Sequence, residues 1–399
     1  MSATSTTAAA VSLATVQRAR ERIREFIYNS PCRHSVELSQ MTGQETFLKL
    51  DNVQRTGAFK ERGALNRILT LGDEERRRGV VAASAGNHAQ AVAYHACARD
   101  IRAQIVMPLM TPLVKVAATK GFGAEVVLHG ANYDEAYSYA LESCATQGMT
   151  FLHPFDDVEV INGQGSIGLE LLEQVPDLEA VIVPIGGGGL IGGVACAIKE
   201  SNPNVRIVGV QTERLPSMLR ATEMGQPVTI PASATVADGI AVRRAGDVTF
   251  PLVQRYVDEI VTVDEEEIAN AILVLLEKEK TLAEGAGAVA LASLLQRKTS
   301  LSGQRTAALV CGGNIDVSLL AKIIERGLAK DGRRLRLRIH LTAVPELSIS
   351  SPRSSRTCGR TSWRPSMTAP ITASTWVIRP SICRWRRAGK NISSRFSMR

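Results

Sequence analysis

From Val16 to Lys330 the chain repeats one pattern: a short apolar run, a turn, then a segment whose apolar residues recur with helical spacing. That alternation commits a chain to a parallel sheet, because parallel neighbours need a long crossover, usually a helix, and the helices then cover both faces. Strands are expected at Glu45–Leu50, Val80–Ala83, Ala103–Met107, Ala124–Leu128, Ala180–Pro184, Ile207–Gln211, Glu259–Val263 and Thr306–Val310. A helix is expected over Asp264–Lys280. Asp264 and Glu267 form a capping pair, Ile268, Ile272, Leu275 and Leu276 share one face, and Lys278 and Lys280 complement its C-terminal end. A chain of 399 residues is long for one core, so two or three domains are expected, of α/β class with a parallel, doubly wound sheet.

The net charge of +8 is unevenly placed. Arg336–Arg399 holds 13 Lys and Arg against one acid, Glu346, and so carries +12; the rest holds 34 basic against 38 acidic residues, a net of −4. The patterned part is therefore mildly acidic, which argues against nucleic acid or an anionic membrane as partner. No apolar run approaches the roughly 20 residues of a membrane-spanning helix. The start, MSATSTTAAAVSLATV, lacks the basic and apolar regions of an export signal. It reads as a frayed lead into a helix, although its lack of acids before Glu21 also suits an organelle transit segment. Seven cysteines form neither a CxxC pair nor a disulfide framework, and Cys97, Cys144 and Cys196 sit in apolar stretches as core residues. A reducing compartment, the cytoplasm, is expected.

After Leu341 the text changes. All three tryptophans and twelve serines fall there, and neither helical nor strand periodicity continues. One reading is a disordered basic tail. The other is translation out of frame. With G/C-ending codons, Ala343–Arg399 back-translates in a neighbouring frame to a string beginning RPGTLHQLAKVVENVRANIVETVHD, which has the turn, amphipathic helices and alternating strands that the tail lacks.

Four motifs carry chemistry. The first is Gln54–Ala64, QRTGAFKERGA, where Lys60 stands between Phe59 and a helix start rich in small residues. A Schiff-base lysine must offer a neutral amine, and moving its pKa from about 10.4 to near 7 costs about 4–5 kcal/mol, which burial can supply. Read alone, Lys60 is a surface helix lysine; Lys49 competes, but it lies inside a strand. The second is Ser84–His88, a strand end opening a helix, where exposed N–H groups gather to hold an anion such as a substrate carboxylate. Asn87 can bond a ring hydroxyl, and His88 is either a general base or, more commonly at a helix start, structural.

The third motif is Gly186–Gly189 followed by Leu190, a strand-to-helix turn whose backbone can wrap a phosphate. Gly187, Gly189 and Gly192 also satisfy GxGxxG with Glu213 about twenty residues on, which leaves a nicotinamide oxidoreductase open. The fourth is Val310–Asp316, where Cys311 either faces a cofactor ring or is simply buried. Glu284, in AEGAG, is a further polar group for a ring or an ordinary helix-start acid. A phosphate cradle, a special lysine, an anion loop and a ring-facing strand end together describe a cofactor site.

In order, QRTGAFKERGA, SAGNHAQ, MPLMTPLVKVAATKGFGAEVVLHG, HPFDD, GQGSIGLE, PIGGGGL, ADGIAV, EGAGA and CGGNID resemble the threonine dehydratases (threonine ammonia-lyases) of the pyridoxal-phosphate fold type II class, tryptophan synthase β-like in architecture. The resemblance runs from about Val16 to Lys330, and serine dehydratases and serine racemases share several of its motifs. It implies a large catalytic domain of residues 1–49 plus 151–332 and a small one of residues 50–150. The basic tail, 333–399, would stand in place of an amino-acid-binding ACT domain, which the neighbouring frame resembles.

The resemblance also implies roles. Lys60 carries pyridoxal 5'-phosphate and removes the substrate α-proton, while Gly186, Gly187, Gly188, Gly189 and Leu190 hold the phosphate. Phe59, Asn87, Glu284 and Cys311 surround the ring, and Ser84, Ala85, Gly86, Asn87 and His88 bind the substrate carboxylate. Cys311 departs from the serine usual in threonine dehydratases. It is equally neutral, and a neutral partner at the ring nitrogen favours prompt β-elimination over a long-lived carbanion. Racemases of the class have a serine where this chain has Ala85, and metal-binding acids where it has Gln211 and Ser217, so no divalent metal is expected. A monovalent cation site is left unlocated. The implied reaction is threonine to 2-oxobutanoate and ammonia, or serine to pyruvate, in isoleucine biosynthesis or threonine catabolism, by a homodimer or tetramer. The non-catalytic alternative, a regulatory amino-acid-binding protein, leaves Lys60 and the glycines without a purpose.

Overall fold

The computed structural model describes residues 10–339 and 374–378, which fall into two compact units, Met1–Val317 and Ser318–Arg399. The first unit contains two sheets. Its strands are β1 (Cys32–His34), β2 (Glu45–Leu50), β3 (Val80–Ala83), β4 (Ala103–Met107), β5 (Glu125–Leu128), β6 (Thr150–Phe151), β7 (Ala180–Pro184), β8 (Arg206–Thr212), β9 (Glu259–Val263) and β10 (Arg305–Val310). A six-stranded sheet has the order β1-β2-β10-β7-β8-β9, and a four-stranded sheet the order β5-β4-β3-β6. Every neighbouring pair is parallel except β1 with β2, at an edge.

The central strands β3, β4 and β7 are buried at every residue, as near-continuous apolar strands covered on both faces should be, whereas the edge strand β5 is partly exposed. Register aligns the strand ends that matter. Val310 of β10 lies beside Leu50 of β2, and Ala308 beside Ile182 of β7, so the segments after Leu50, Pro184 and Val310 emerge on one rim. In open α/β sheets the rim at the carboxyl ends of the strands is where ligands bind.

Two hydrophobic clusters join the sheets to their helices. One joins β7 and β10 to the helices Val158–Gln174 and Gly189–Ser201 through residues such as Ile161, Leu171, Val183, Ile191 and Leu309. The other joins β3 and β4 to the helix Asn87–Cys97 through Val80, Ile105, Met107, Val92 and Ala96. The GQGSIGLE motif has a packing purpose. A Cβ at Gly193 would lie 2.3 Å from the Ile161 carbonyl, and one at Gly165 2.9 Å from the Gly193 carbonyl, so these two helices touch backbone to backbone.

Beneath the lysine-bearing helix Lys60–Leu69 sits a buried charge cluster. Arg62 donates to Asp51 (2.7 and 2.9 Å) and to Glu170 (2.6 and 2.9 Å), and Lys49 donates to Glu170 (2.6 Å). Two cations face two carboxylates, so β2, this helix and the helix Val158–Gln174 are tied without net buried charge.

The expected strands all form. The fourth, β5, begins one residue late at Glu125 rather than Ala124, and β8 and β10 run slightly longer than expected. The Asp264/Glu267 capping box forms, and its helix spans Glu265–Lys278. Strands β1 and β6, three and two residues long, had no legible period. The second unit begins at Ser318. Beyond Leu341, where no periodicity continues, the described residues hold one strand. Ser374–Ile378 pairs antiparallel with Leu335–Ile339, the run Thr-Trp-Val-Ile being β-prone although too short to show a period. The out-of-frame and ACT-like readings of Ala343–Arg399 otherwise lie outside the described residues. Among the described residues no helix is long and apolar enough to cross a membrane.

Candidate active site

Lys60 opens its helix at the end of a stitched loop. Phe59 N–H donates to the Cys311 carbonyl (3.0 Å) and Gly313 N–H to the Gly57 carbonyl (2.9 Å), so the segment before Lys60 is paired with the segment after β10. Gly57 has φ of 77°, and a Cβ there would meet the Asn314 side chain at 2.4 Å. Only glycine suits that turn. Lys60 retains some accessible surface along its side chain, but its amine is enclosed, donating to the Pro154 carbonyl at 2.7 Å. Burial lowers its pKa to about 8, opposed in part by Cys311 and Glu284. The shift runs in the direction a carbonyl-trapping amine needs. Lys49 is removed from contention, since its amine is fully buried among Ser30, Glu170 and Gln174.

The tetraglycine turn follows β7. Gly188, with φ of 100°, precedes the helix Gly189–Ser201, whose first N–H groups have no intrahelical acceptor. A Cβ at Gly187 or Gly189 would lie 2.3 or 2.6 Å from Phe155, and one at Gly188 2.6 Å from Met218. The turn is therefore packed from behind and leaves its backbone as the working surface. The side chain of Leu190 is buried in the core, so this residue can serve an anion only through its N–H. Lysine and glycines meet through two successive residues: Lys60 bonds Pro154, and Phe155 packs on Gly187 and Gly189.

The third side is the loop Ser84–Gly86 and the helix start at Asn87. Ser84 N–H donates to Val106, and its hydroxyl accepts from Gly86 N–H at 3.2 Å. Asn87 donates to Glu284 (2.6 Å) and accepts from Asn314 (2.8 Å), which also donates to the Thr56 carbonyl (2.7 Å). Each amide has two N–H donors, so Asn87 keeps one for a ligand. Glu284 begins the helix Gly285–Leu295 but does not cap it; its side chain turns to Asn87. Burial, then the nearby Asp238, raises its pKa to about 7.

His88 is structural on this geometry. It is buried, its Nε2–H donates to the Leu152 carbonyl (2.9 Å), and burial together with Lys60 lowers its pKa to about 3. Cys311 is buried with its thiol 3.5 Å from the Ala286 carbonyl, and burial pushes its pKa well up, so it stays a neutral thiol. Gln211 accepts from Met218 and Leu219 N–H (3.0 and 2.9 Å), capping the helix Ser217–Met224 with an amide.

Several residues of the site went unread in the sequence. His153–Asp156 lies inside HPFDD, yet nothing in the string says that the Pro154 carbonyl receives the lysine. Asn314 stood in the CGGNID motif without a role. A surface cavity of about 790 Å³, lined in part by Arg20, Glu21, Arg62 and Glu170, contains none of this constellation. The chemistry is located by converging groups and not by cavity size.

An enclosed amine with a depressed pKa, a glycine turn offering unpaired N–H groups, and a neutral thiol fit pyridoxal 5'-phosphate. The oxidoreductase reading fits worse, since Glu213, the acid it would use for a ribose, pairs instead with Lys298 at the surface. The sequence profile of the pyridoxal-phosphate dependent enzymes matches residues 23–312. The L-threonine ammonia-lyase of Thermotoga maritima is 50% identical over 325 residues, 82% of this chain and 81% of that one. Among solved structures, processed threonine deaminase isoform 2 from Solanum lycopersicum superposes with a TM-score of 0.74 at 37% identity, covering 78% of this chain and 86% of that one. Maize serine racemase gives 0.75 at 35% identity, covering 81% and 99%.

Proposed function

The chain belongs to the pyridoxal-phosphate-dependent enzymes of fold type II, and on that premise we propose that it is an L-threonine ammonia-lyase, converting L-threonine to 2-oxobutanoate and ammonia and acting also on L-serine. The observation that carries this reading is the enclosed Lys60 amine joined to the tetraglycine turn through Pro154 and Phe155. When bound, the cofactor supplies an electron sink that acidifies the substrate α-carbon.

The chain's own groups do the rest. The N–H groups of Gly187–Leu190 would hold the phosphate, aided by the helix dipole behind them. The loop Ser84–Asn87 holds the substrate carboxylate. Lys60 takes the α-proton, and its lowered pKa of about 8 brings the neutral amine within reach as pH rises through that value. Cys311, held as a neutral thiol, would place no charge beside a bound ring, which would favour early departure of the β-hydroxyl. Water leaves across the Cα–Cβ bond and is consumed again when the released enamine tautomerises and hydrolyses to the oxo acid and ammonia.

Serine racemisation is the runner-up within the family. Ala85 has no hydroxyl to return a proton to the opposite face, and Gln211 is an amide engaged as a helix cap. Both disfavour it. We place the enzyme in the cytoplasm as a homodimer or tetramer, which light scattering on the purified protein checks. The threonine β-methyl is worth about 1–3 kcal/mol in a pocket, so preference is set by kinetics. The test compares kcat/KM for L-threonine, L-serine and D-serine, with chiral chromatography for interconversion. Threonine-dependent 2-oxo acid formation that vanishes in Lys60→Ala is expected; turnover surviving Lys60→Ala, or rapid D/L interconversion, overturns the assignment.

A further inference from the structure

The turn His153–Asp156 touches the lysine on one side and the phosphate cradle on the other. Its shape is set by His153, whose Nδ1 accepts from Phe155 and Asp156 N–H (3.3 and 2.7 Å). The Asp156 carboxylate then receives three backbone N–H groups from a distant segment: Asp247 on Oδ2 (3.0 Å), Val248 and Thr249 on Oδ1 (2.9 and 3.2 Å). That segment opens the helix Thr249–Tyr256, which has no capping side chain of its own. Gly246 leaves room for this contact, since a Cβ there would lie 2.1 Å from Asp156 Oδ1.

The segment held by Asp156 in turn holds the glycines. Thr249 Oγ1 donates to the Gly187 carbonyl at 2.6 Å, and Gly246 N–H donates to the same oxygen at 3.3 Å. The peptide joining Gly187 to Gly188 is trans, so its carbonyl and N–H point in opposite directions. Anchoring the carbonyl toward Thr249 therefore turns the Gly188 N–H away from Thr249, toward the open side of the cradle.

We propose that Asp156 is a positioning residue for the phosphate cradle, orienting the Gly187–Gly188 peptide through Thr249. The proposal rests on the cofactor site assigned above, but its test separates the two. Apoenzyme is titrated with pyridoxal 5'-phosphate and with pyridoxal, which has the aldehyde and no phosphate, following absorbance of the lysine-bound aldehyde. Asp156→Ala should weaken the phosphorylated aldehyde roughly 10- to 100-fold, as expected for a lost charge-assisted hydrogen bond. Pyridoxal should be affected little. Asp156→Asn, which retains one acceptor oxygen, should fall between.

Asp247→Ala is the control, because only the backbone N–H of Asp247 is used, its carboxylate pairing with Arg244. Thr249→Val removes the shorter of the two bonds to the Gly187 carbonyl and should reproduce the selective loss even if Asp156→Ala fails to fold. Equal weakening of both aldehydes, or wild-type affinity in Thr249→Val, overturns the proposal. If the wild-type protein itself shows no preference for the phosphorylated aldehyde, the cofactor site fails instead.

Discussion

Replacing Arg62 with Met tests the buried charge cluster, because it removes a cation of similar length and leaves its partners in place. Arg62 and Asp51 are wholly buried and Glu170 nearly so. Without the guanidinium, Asp51 keeps only Ser30 (2.5 Å) and a long bond from Gln54 (3.4 Å). Breaking a buried pair from one side costs about 3–5 kcal/mol, chiefly from the uncompensated charge. The cost should depend on pH. Burial alone would raise the Asp51 pKa, but Arg62 outweighs it and holds the group below its ordinary value. In the wild type Asp51 is therefore ionised in both states between pH 7 and 5 and adds no slope there; its stabilisation is lost only as pH falls through the lowered value.

In Arg62→Met the burial effect dominates, the folded value rises above the unfolded one of about 3.9, and the folded state binds the extra proton. The variant then gains up to about 1.4 kcal/mol per pH unit on acidification, and the gap to wild type narrows by about 1–3 kcal/mol between pH 7 and 5. Urea unfolding followed by circular dichroism measures this; all three tryptophans lie beyond residue 341, outside the catalytic unit, so their fluorescence is a poor reporter. A variant as stable as wild type, or a gap that stays constant with pH, refutes the reasoning.

Gly188→Ala combines φ of 100° with a Cβ 2.6 Å from Met218, and should lower cofactor affinity at least tenfold, the strain alone being worth about 1–3 kcal/mol, as read by titration of apoenzyme. Glu284, raised to about 7, should put a step near neutrality in the pH profile of kcat/KM, and Glu284→Gln should remove it. The same raised value means that the folded state binds the extra proton between about pH 4.3 and 7, so this stabilisation fades as pH rises through 7 in wild type and not in Glu284→Gln. The ion pair of Lys115 with Asp238 (2.7 Å) is partly exposed and should contribute no more than about 1 kcal/mol in a double-mutant cycle read by unfolding.

The parts of the molecule legible in the sequence are those whose physical cause is local. Val80–Ala83 and Ala180–Pro184 announce themselves because a strand covered on both faces must be apolar throughout, and the glycines 186–189 because only backbone can line so tight a turn. Lys60 stood out by its motif, yet its pKa falls because tertiary burial encloses the amine beside Pro154, against the opposing influence of Glu284 and Cys311, and no string places these groups together. The same holds for Asp156, read only as a letter in HPFDD: its meaning lies in three N–H groups some ninety residues away. At His88 the sequence left a general base and a structural histidine open, because position does not reveal access; a ring braced on Leu152 and kept neutral by burial suits the structural role. Motifs thus identify the groups that would meet the cofactor, while the contacts that aim those groups are tertiary. Substitutions in the second set should alter affinity and pH dependence before they abolish chemistry.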